Sequence, residues 1–351
     1  MKQLLSDLVA IPSISDNLKA LQEATVYVEK QLPFWIHERF ESNNKPSLII
    51  KNHEGKEFDL ILTAHLDVVP APEYLFQLSE EGDRLVGRGV IDMKFAVAVF
   101  IKLLQEIKSQ TKLKIAAIFT SDEELGGFDG IKRVIEQGYT AKVALLPDGG
   151  ANMTIEQAEK GIWNVQLKAV GRSAHGSRPW LGDNAIDKLL TTYEILRRQF
   201  PTPTSESWNV TISAGKITGG TVFNVVCPEA TLDLDIRFPN FKEKQKVETS
   251  LQQLTQNGVS FKTIVEGAPF EISKNNPYLL KYSKIAKKIT GSQPDLIQSA
   301  GASDARYFSA ANIPVIISRP VGAGHHTDEE WLSQKSLGQY YQVVAAFVKS
   351  L

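Results

Sequence analysis

The sequence comprises 351 residues, of which 42% are hydrophobic and 23% are charged. This composition excludes wholesale disorder, and the length allows about two or three domains of ordinary size. Lys and Arg number 39 and Asp and Glu 40, and the resulting net charge of −1 argues against nucleic acid as a partner.

The single cysteine, Cys227, excludes a disulfide within the chain and a metal cluster of thiolates from one chain. Residues 1–15 lack the apolar core of a signal peptide, and no window has the roughly 18 continuous apolar residues of a membrane span. We therefore expect a cytoplasmic protein with no membrane partner.

The first part of the chain alternates predicted helices and buried strands. Apolar residues at three- and four-residue spacing predict helices over 16–31, 93–107 and 129–137. Short apolar runs with polar flanks predict buried strands over 59–64, 113–120 and 142–147. This alternation is typical of an α/β fold with largely parallel strands.

The middle of the chain has a different pattern, in the order βαββαβ of a ferredoxin-like α+β sandwich. The predicted elements are strand 160–170, helix 183–200, strands 208–217 and 229–238, helix 241–256 and strand 259–265. A helix over 276–290, a strand over 313–318 and a helix over 333–350 follow. We predict a discontinuous domain of residues 1–157 and 268–351, interrupted by an inserted domain of residues 158–267.

Acidic residues and histidines lie at the ends of these predicted elements, where ligands bind in open α/β sheets. They are His65 and Asp67, Asp92, Glu123 and Glu124, Asp148, and His325 and His326. Each has an ordinary alternative as a helix cap, a turn residue or a polar loop. Together, nitrogen and oxygen donors of these types predict a divalent metal site. If Asp92, Glu124 and Asp148 are ligands, their three negative charges exceed the charge of one divalent cation. This favours two cations bridged by Asp92.

Eight motifs in one order identify a family that the chain resembles. They are TAHLDVVP (63–70), GRGVIDMKFAVA (87–98), TSDEELGG (120–127), PDGG (147–150), GRSAHGSRPWLGDNAI (171–186), NVVCPEA (224–230), GASDARYF (301–308) and HHTDEEW (325–331). They resemble the dinuclear zinc family of acetylornithine deacetylase, succinyl-diaminopimelate desuccinylase, glutamate carboxypeptidase and aminoacylase. The resemblance implies a zinc-peptidase-like αβα catalytic domain with an inserted ferredoxin-like domain for dimerisation or as a lid.

The resemblance also implies a role for each matched residue. The ligands of two Zn²⁺ ions would be His65, Asp92, Glu124, Asp148 and His326, with Asp92 bridging and its peptide bond to Met93 cis. Asp67 would orient His65, and Glu123 would be the general base. His175 would donate to the oxyanion, in some family members from the other subunit of a homodimer. Asn224, Arg237, Ser303 and Arg306 would bind substrate.

The reaction that follows from the resemblance is hydrolysis of the amide bond of a small N-acyl amino acid by a zinc-activated water. The same centre would serve a dipeptidase or a carboxypeptidase-type exopeptidase, and the sequence leaves these alternatives open. A non-catalytic metal-binding protein is a remote alternative, because the base and every ligand position are filled. The ligand set also suits Co²⁺ or Mn²⁺.

Overall fold

The computed structural model describes residues 1–108, 111–255 and 258–351. The chain divides into two compact units. The first unit comprises Met1–Ala158, Glu271–Ile297 and Ser303–Leu351, and the second unit comprises Glu159–Phe270 and Gln298–Ala302. Residues 298–302 thus group with the second unit, outside the range 158–267 that the sequence predicts for the insertion.

The helices of the described residues are α1 (Lys2–Val9), α2 (Leu18–Gln31), α3 (Lys94–Ile107), α4 (Ile131–Glu136), α5 (Ala185–Gln199), α6 (Phe241–Leu254), α7 (Pro277–Thr290), α8 (Ala305–Ala310) and α9 (Gln334–Lys349). The strands are β1 (Ile36–Ser42), β2 (Lys45–Lys51), β3 (Glu57–His65), β4 (Ser79–Glu81), β5 (Arg84–Val86), β6 (Ile115–Thr120), β7 (Thr140–Leu145), β8 (Ile155–Glu159), β9 (Gly161–Val170), β10 (Thr211–Gly219), β11 (Glu229–Phe238), β12 (Val259–Gly267), β13 (Phe270–Glu271), β14 (Leu296–Ser299), β15 (Val315–Ile316), β16 (Gly322–Ala323) and β17 (Trp331–Ser333). None of these helices is both long enough and apolar enough to cross a membrane.

A six-stranded sheet in the order β1-β2-β6-β3-β7-β15 forms the centre of the first unit. Strand β3 runs parallel to β6 and β7, and β7 runs parallel to β15. The apolar runs of β3 and β6 are buried, as is most of α3, which explains why these segments lack polar alternation. The parallel strands place their carboxyl ends along one edge of the sheet.

Several elements depart from the sequence-based prediction. Strands β1 and β2 form an antiparallel hairpin that apolar patterning does not predict. Its two turn residues, Asn43 and Asn44, both have positive φ, which Asn tolerates better than most residues. The cap of α2 is Asn17, whose side chain accepts a hydrogen bond from the Ala20 amide. Residue 256, in the predicted helix 241–256, lies outside the described residues.

The second unit is a four-stranded antiparallel sheet in the order β10-β11-β9-β12, with α5 and α6 between its strands in sequence. This is the βαββαβ order expected from the sequence. Strands β9 and β11 alternate buried residues with half-buried or exposed ones, and the buried residues pack against both helices. The predicted mixed α/β fold class is therefore confirmed.

Candidate metal centre

Three side chains converge at the carboxyl edge of the central sheet. His65 is the last residue of β3, Asp148 lies three residues beyond the end of β7, and Asp92 lies two residues before α3 begins. One ligand atom from each of the three lies within 4.8 Å of the others. His65 Nε2 is 3.2 Å from Asp92 Oδ1. His65 and Asp148 are close because they lie at or just beyond the carboxyl ends of the neighbouring parallel strands β3 and β7.

A second set of three shares Asp92 with the first. Asp92, Glu124 and His326 also place one ligand atom each within 4.8 Å of the others. His326 Nε2 is 3.2 Å from Asp92 Oδ2 and 3.0 Å from Glu124 Oε2. Asp92 therefore offers one carboxylate oxygen to each set, which is the geometry of a bridging ligand. The Asp92–Met93 peptide bond is cis.

In the absence of cations, the buried carboxylates of this centre repel one another. Burial raises the pKa of Glu123 and of Asp148 well above their ordinary values, and neighbouring carboxylates raise both pKa values further. Burial opposes ionisation of Asp92 too, but hydrogen bonds with His326 and His65 hold the pKa of Asp92 well below its ordinary value. The same contacts with Asp92 and Glu124 raise the pKa of His326 to about 10.

This donor set fits divalent cations. Two imidazoles and three carboxylates supply nitrogen and oxygen ligands in two groups, without sulfur. Cations between the carboxylates would remove the repulsion that otherwise favours their protonation. His325, next to His326 in sequence, belongs to neither group and is exposed.

Asp67 contacts more than the histidine that it is predicted to orient. His65 Nδ1 lies 2.8 Å from the backbone oxygen of Asp67 and 3.6 Å from its Oδ1. The Asp67 carboxylate accepts hydrogen bonds from the amides of Glu123 and Glu124, at 3.2 and 3.1 Å, and from Ser15 Oγ at 3.0 Å. Asp67 therefore contacts both the His65 segment and the turn that carries the predicted base.

The start of α8 packs against that same turn. Arg306 Nη2 donates to the Gly126 carbonyl at 2.5 Å, and the Tyr307 hydroxyl donates to it at 2.6 Å. The Ser303 hydroxyl accepts from the Ala305 amide at 3.2 Å. Ser303 and Arg306 are only 4% and 5% exposed. The structure places Arg306 against the turn that carries Glu123, and contact of Ser303 and Arg306 with substrate stays a prediction.

The remaining predicted site residues lie in the second unit. His175 is exposed, and its Nδ1 accepts a hydrogen bond from the Ser177 amide at 3.2 Å. The Gly176 amide donates to the Asn224 carbonyl at 2.7 Å, so the segments of His175 and Asn224 are neighbours. Arg237 Nε donates to Asp235 at 2.9 Å.

Comparison with known proteins identifies the family. The profile described as peptidase family M20/M25/M40 matches residues 61–350. The chain belongs to this family. The M20 match makes the protein a metal-dependent hydrolase, and the two sets of ligand atoms around Asp92 are groups in the chain that could hold the metal.

Individual M20 relatives carry more specific names. A probable succinyl-diaminopimelate desuccinylase of Staphylococcus aureus (strain MRSA252) is 27% identical over 331 residues, with 81% of each chain covered. A succinyl-diaminopimelate desuccinylase of Parvibaculum lavamentivorans is 28% identical over 298 residues, covering 76% of this chain and 73% of its own. A tripeptidase from Staphylococcus aureus subsp. aureus Mu50 shares the fold, with a TM-score of 0.80 at 22% identity over 99% of this chain and 97% of its own.

Proposed function

We propose that the protein hydrolyses the amide bond of a small N-acyl amino acid, using two Zn²⁺ ions held by His65, Asp92, Glu124, Asp148 and His326. The observation that carries this proposal is the sharing of Asp92 by two sets of ligand atoms beside the Glu123 turn. The names of the desuccinylase relatives support a deacylase. Co²⁺ or Mn²⁺ in place of Zn²⁺ is an outcome of metal analysis.

In this proposal, Glu123 moves the proton. The cations, when bound, polarise the substrate carbonyl and lower the pKa of water. Glu123 Oε accepts a proton from the attacking water and returns it to the leaving amine. Asp67 holds the amides of Glu123 and Glu124, so one turn presents a ligand and a base from consecutive residues.

The substrate contacts in this proposal are those that the family resemblance implies. Because His175 Nδ1 accepts from the Ser177 amide, the neutral ring carries its hydrogen on Nε2, which suits a donor to the oxyanion. Asn224 and Arg237 would bind the substrate carboxylate, and Ser303 and Arg306 would also contact the substrate. We propose a homodimer formed through the inserted domain, residues 158–267, in a cytoplasmic protein without nucleic-acid or membrane partners.

The second candidate function is cleavage of a dipeptide or of a C-terminal residue from a peptide. It needs the same metal centre and the same base, and the tripeptidase that shares the fold is consistent with it. A screen of N-acetyl and N-succinyl amino acids, dipeptides and tripeptides with added Zn²⁺ separates the two. The first proposal expects an N-acyl amino acid as the best substrate, and a preference for peptides would replace it with the second.

The role of Glu123 is tested by Glu123→Gln, which keeps the size of the side chain and removes its basicity. Loss of the base predicts a fall in kcat of about 10²–10⁴-fold with bound metal unchanged. Glu136→Gln is the control, because Glu136 is an exposed carboxylate of the same unit. Turnover of Glu123→Gln within a few-fold of the parent protein would exclude Glu123 as the base.

A further inference from the structure

A completely buried carboxylate outside the ligand set connects the two segments that carry Asp92 and His326. Glu330 is 0% exposed. Its Oε2 accepts from Arg88 Nη1 at 2.7 Å and from the Gly89 amide at 3.0 Å. Its Oε1 accepts from the amides of Ile91 and Asp92 at 3.0 and 3.3 Å. One side chain thus satisfies four donors from the segment that ends at Asp92.

The other end of this connection is the turn that bears His326. The turn is closed by pairing of Gly322–Ala323 with Trp331–Leu332, and Glu330 is its last residue before β17. The backbone oxygen of Glu330 also accepts from the Gly87 amide at 3.3 Å. Because Glu330 follows His326 by only four residues, its hydrogen bonds fix where the turn lies relative to Asp92.

The chemistry of the contacts requires an ionised carboxylate. All four partners are donors, and a carboxylate has acceptor sites on both oxygens. A glutamine side chain at residue 330 would offer only one acceptor oxygen, and its NH₂ group would face the remaining donors. The Arg88 guanidinium is 2% exposed, so removal of the negative charge would leave a buried cation without its partner.

We propose that Glu330 is a positioning residue that holds Asp92 and His326 at the separation required for binding of the second cation. The proposal rests on the proposed function only in taking these two residues as metal ligands. It assigns Glu330 no contact with substrate or with the reacting atoms.

The test compares Glu330→Gln with the parent protein by competition for Zn²⁺ against a chromophoric chelator, followed by metal analysis. We expect affinity for one of two Zn²⁺ ions to fall by about 10–100-fold, as is usual when partners of metal ligands are changed. Asp83→Asn is the matched control. Asp83 accepts from Ser333 Oγ at 2.5 Å and from the Lys335 amide at 2.9 Å, so it anchors the same C-terminal segment through hydrogen bonds that do not involve residues 88–92.

Misfolding of Glu330→Gln is separated from loss of positioning by a second variant, Arg88→Gln/Glu330→Gln. It leaves no unpaired buried charge, and urea unfolding of the metal-free protein reports whether it folds. We expect the double variant also to lose the second Zn²⁺. Binding of two Zn²⁺ ions with parental affinity by a folded variant would overturn the proposal. Failure of the proposed function would appear separately, as a parent protein that binds two Zn²⁺ ions and hydrolyses no amide.

Discussion

Asp304 has an unusual environment for a single carboxyl group. It is 2% exposed, and its Oδ1 has no hydrogen-bond partner among the described residues. Burial raises the pKa of Asp304 well above its ordinary value of 3.8, although Arg306 opposes the shift. The folded protein therefore binds a proton here more tightly than the unfolded chain does, and ionisation of this group costs stability.

The sign of this linkage gives a pH prediction for the metal-free protein. The contribution of Asp304 to the free energy of unfolding is complete below pH 3.8 and is lost as the pH rises through the higher pKa of the folded state. Asp304→Asn has no charge to bury, so its stability relative to the parent should increase from pH 4 towards pH 8. Urea unfolding with a chelator present measures this difference. A difference that is constant or decreases with pH would contradict the assignment.

Single residues also show what a sequence can predict about this centre. The types of His65, Asp92, Glu124, Asp148 and His326 and their positions at element ends make them candidates for a metal site. The family resemblance is what distinguishes them from the neighbouring Asp67, Glu123 and His325. Glu330 could not be selected, because the run Asp328-Glu329-Glu330 gives no sign that only the last carboxylate is buried. The contacts of Arg306 and Tyr307 with the Gly126 carbonyl were equally invisible, since they depend on tertiary packing of α8 against a distant turn.

Among the structural elements, the turn over residues 123–127 packs closely against the residues at the start of α8. Gly127 has a φ of +64°, and a Cβ atom built on it would lie 2.0 Å from Asp304 Oδ1. Gly126 also has positive φ, and its carbonyl accepts the two hydrogen bonds from α8. Glycine at residue 127 therefore lets the turn that carries Glu123 and Glu124 lie against Asp304 and α8 without a side-chain clash.

Two glycine substitutions distinguish the energetic cost of a positive φ from the cost of a steric clash between residue 127 and Asp304. Gly138 has a φ of +91° and nothing within 4 Å of a Cβ position, so Gly138→Ala should cost only the left-handed penalty of about 1–2 kcal/mol. Gly127→Ala adds a steric clash and should destabilise the protein more. It should also lower kcat, because the turn must move. Unfolding midpoints and turnover of both variants check this, and equal effects would contradict it.

The sequence predicted most of the elements whose apolar pattern is strong and missed those whose pattern is weak. Strand β11 has the bounds predicted from its clean alternation, 229–238. Strands β16 and β17 have only two and three residues, too few for a period to be recognised. Strand β1 of the hairpin was missed because Ile36–Ser42 is rich in charged residues and has no buried residue.

At the scale of the whole molecule, the proposed homodimer depends on the free edge of the second unit. Strand β10 is one of the two outer strands of its sheet, and residues 213–219 are exposed. Ile217 on this strand is 51% exposed, and Phe223 in the following loop is fully exposed. An exposed strand edge with apolar side chains is a common pairing site for a second chain.

Sedimentation tests this proposal. The parent protein should have the mass of two chains, and Ile217→Lys should shift it towards one chain, because a charge on an edge strand opposes pairing. Leu280→Lys is the control, since Leu280 is a 54% exposed apolar residue on α7 of the first unit. A monomeric parent protein, or equal effects of both substitutions, would contradict dimerisation through β10.

The central claim is that two cations share Asp92 and that both are needed for amide hydrolysis. The most direct measurement is titration of the metal-free protein with Zn²⁺, following hydrolysis of the best substrate from the screen. We predict that activity rises until two equivalents of Zn²⁺ per chain have been added and then stays constant. Full activity at one equivalent, unchanged by the second, would contradict the dinuclear account.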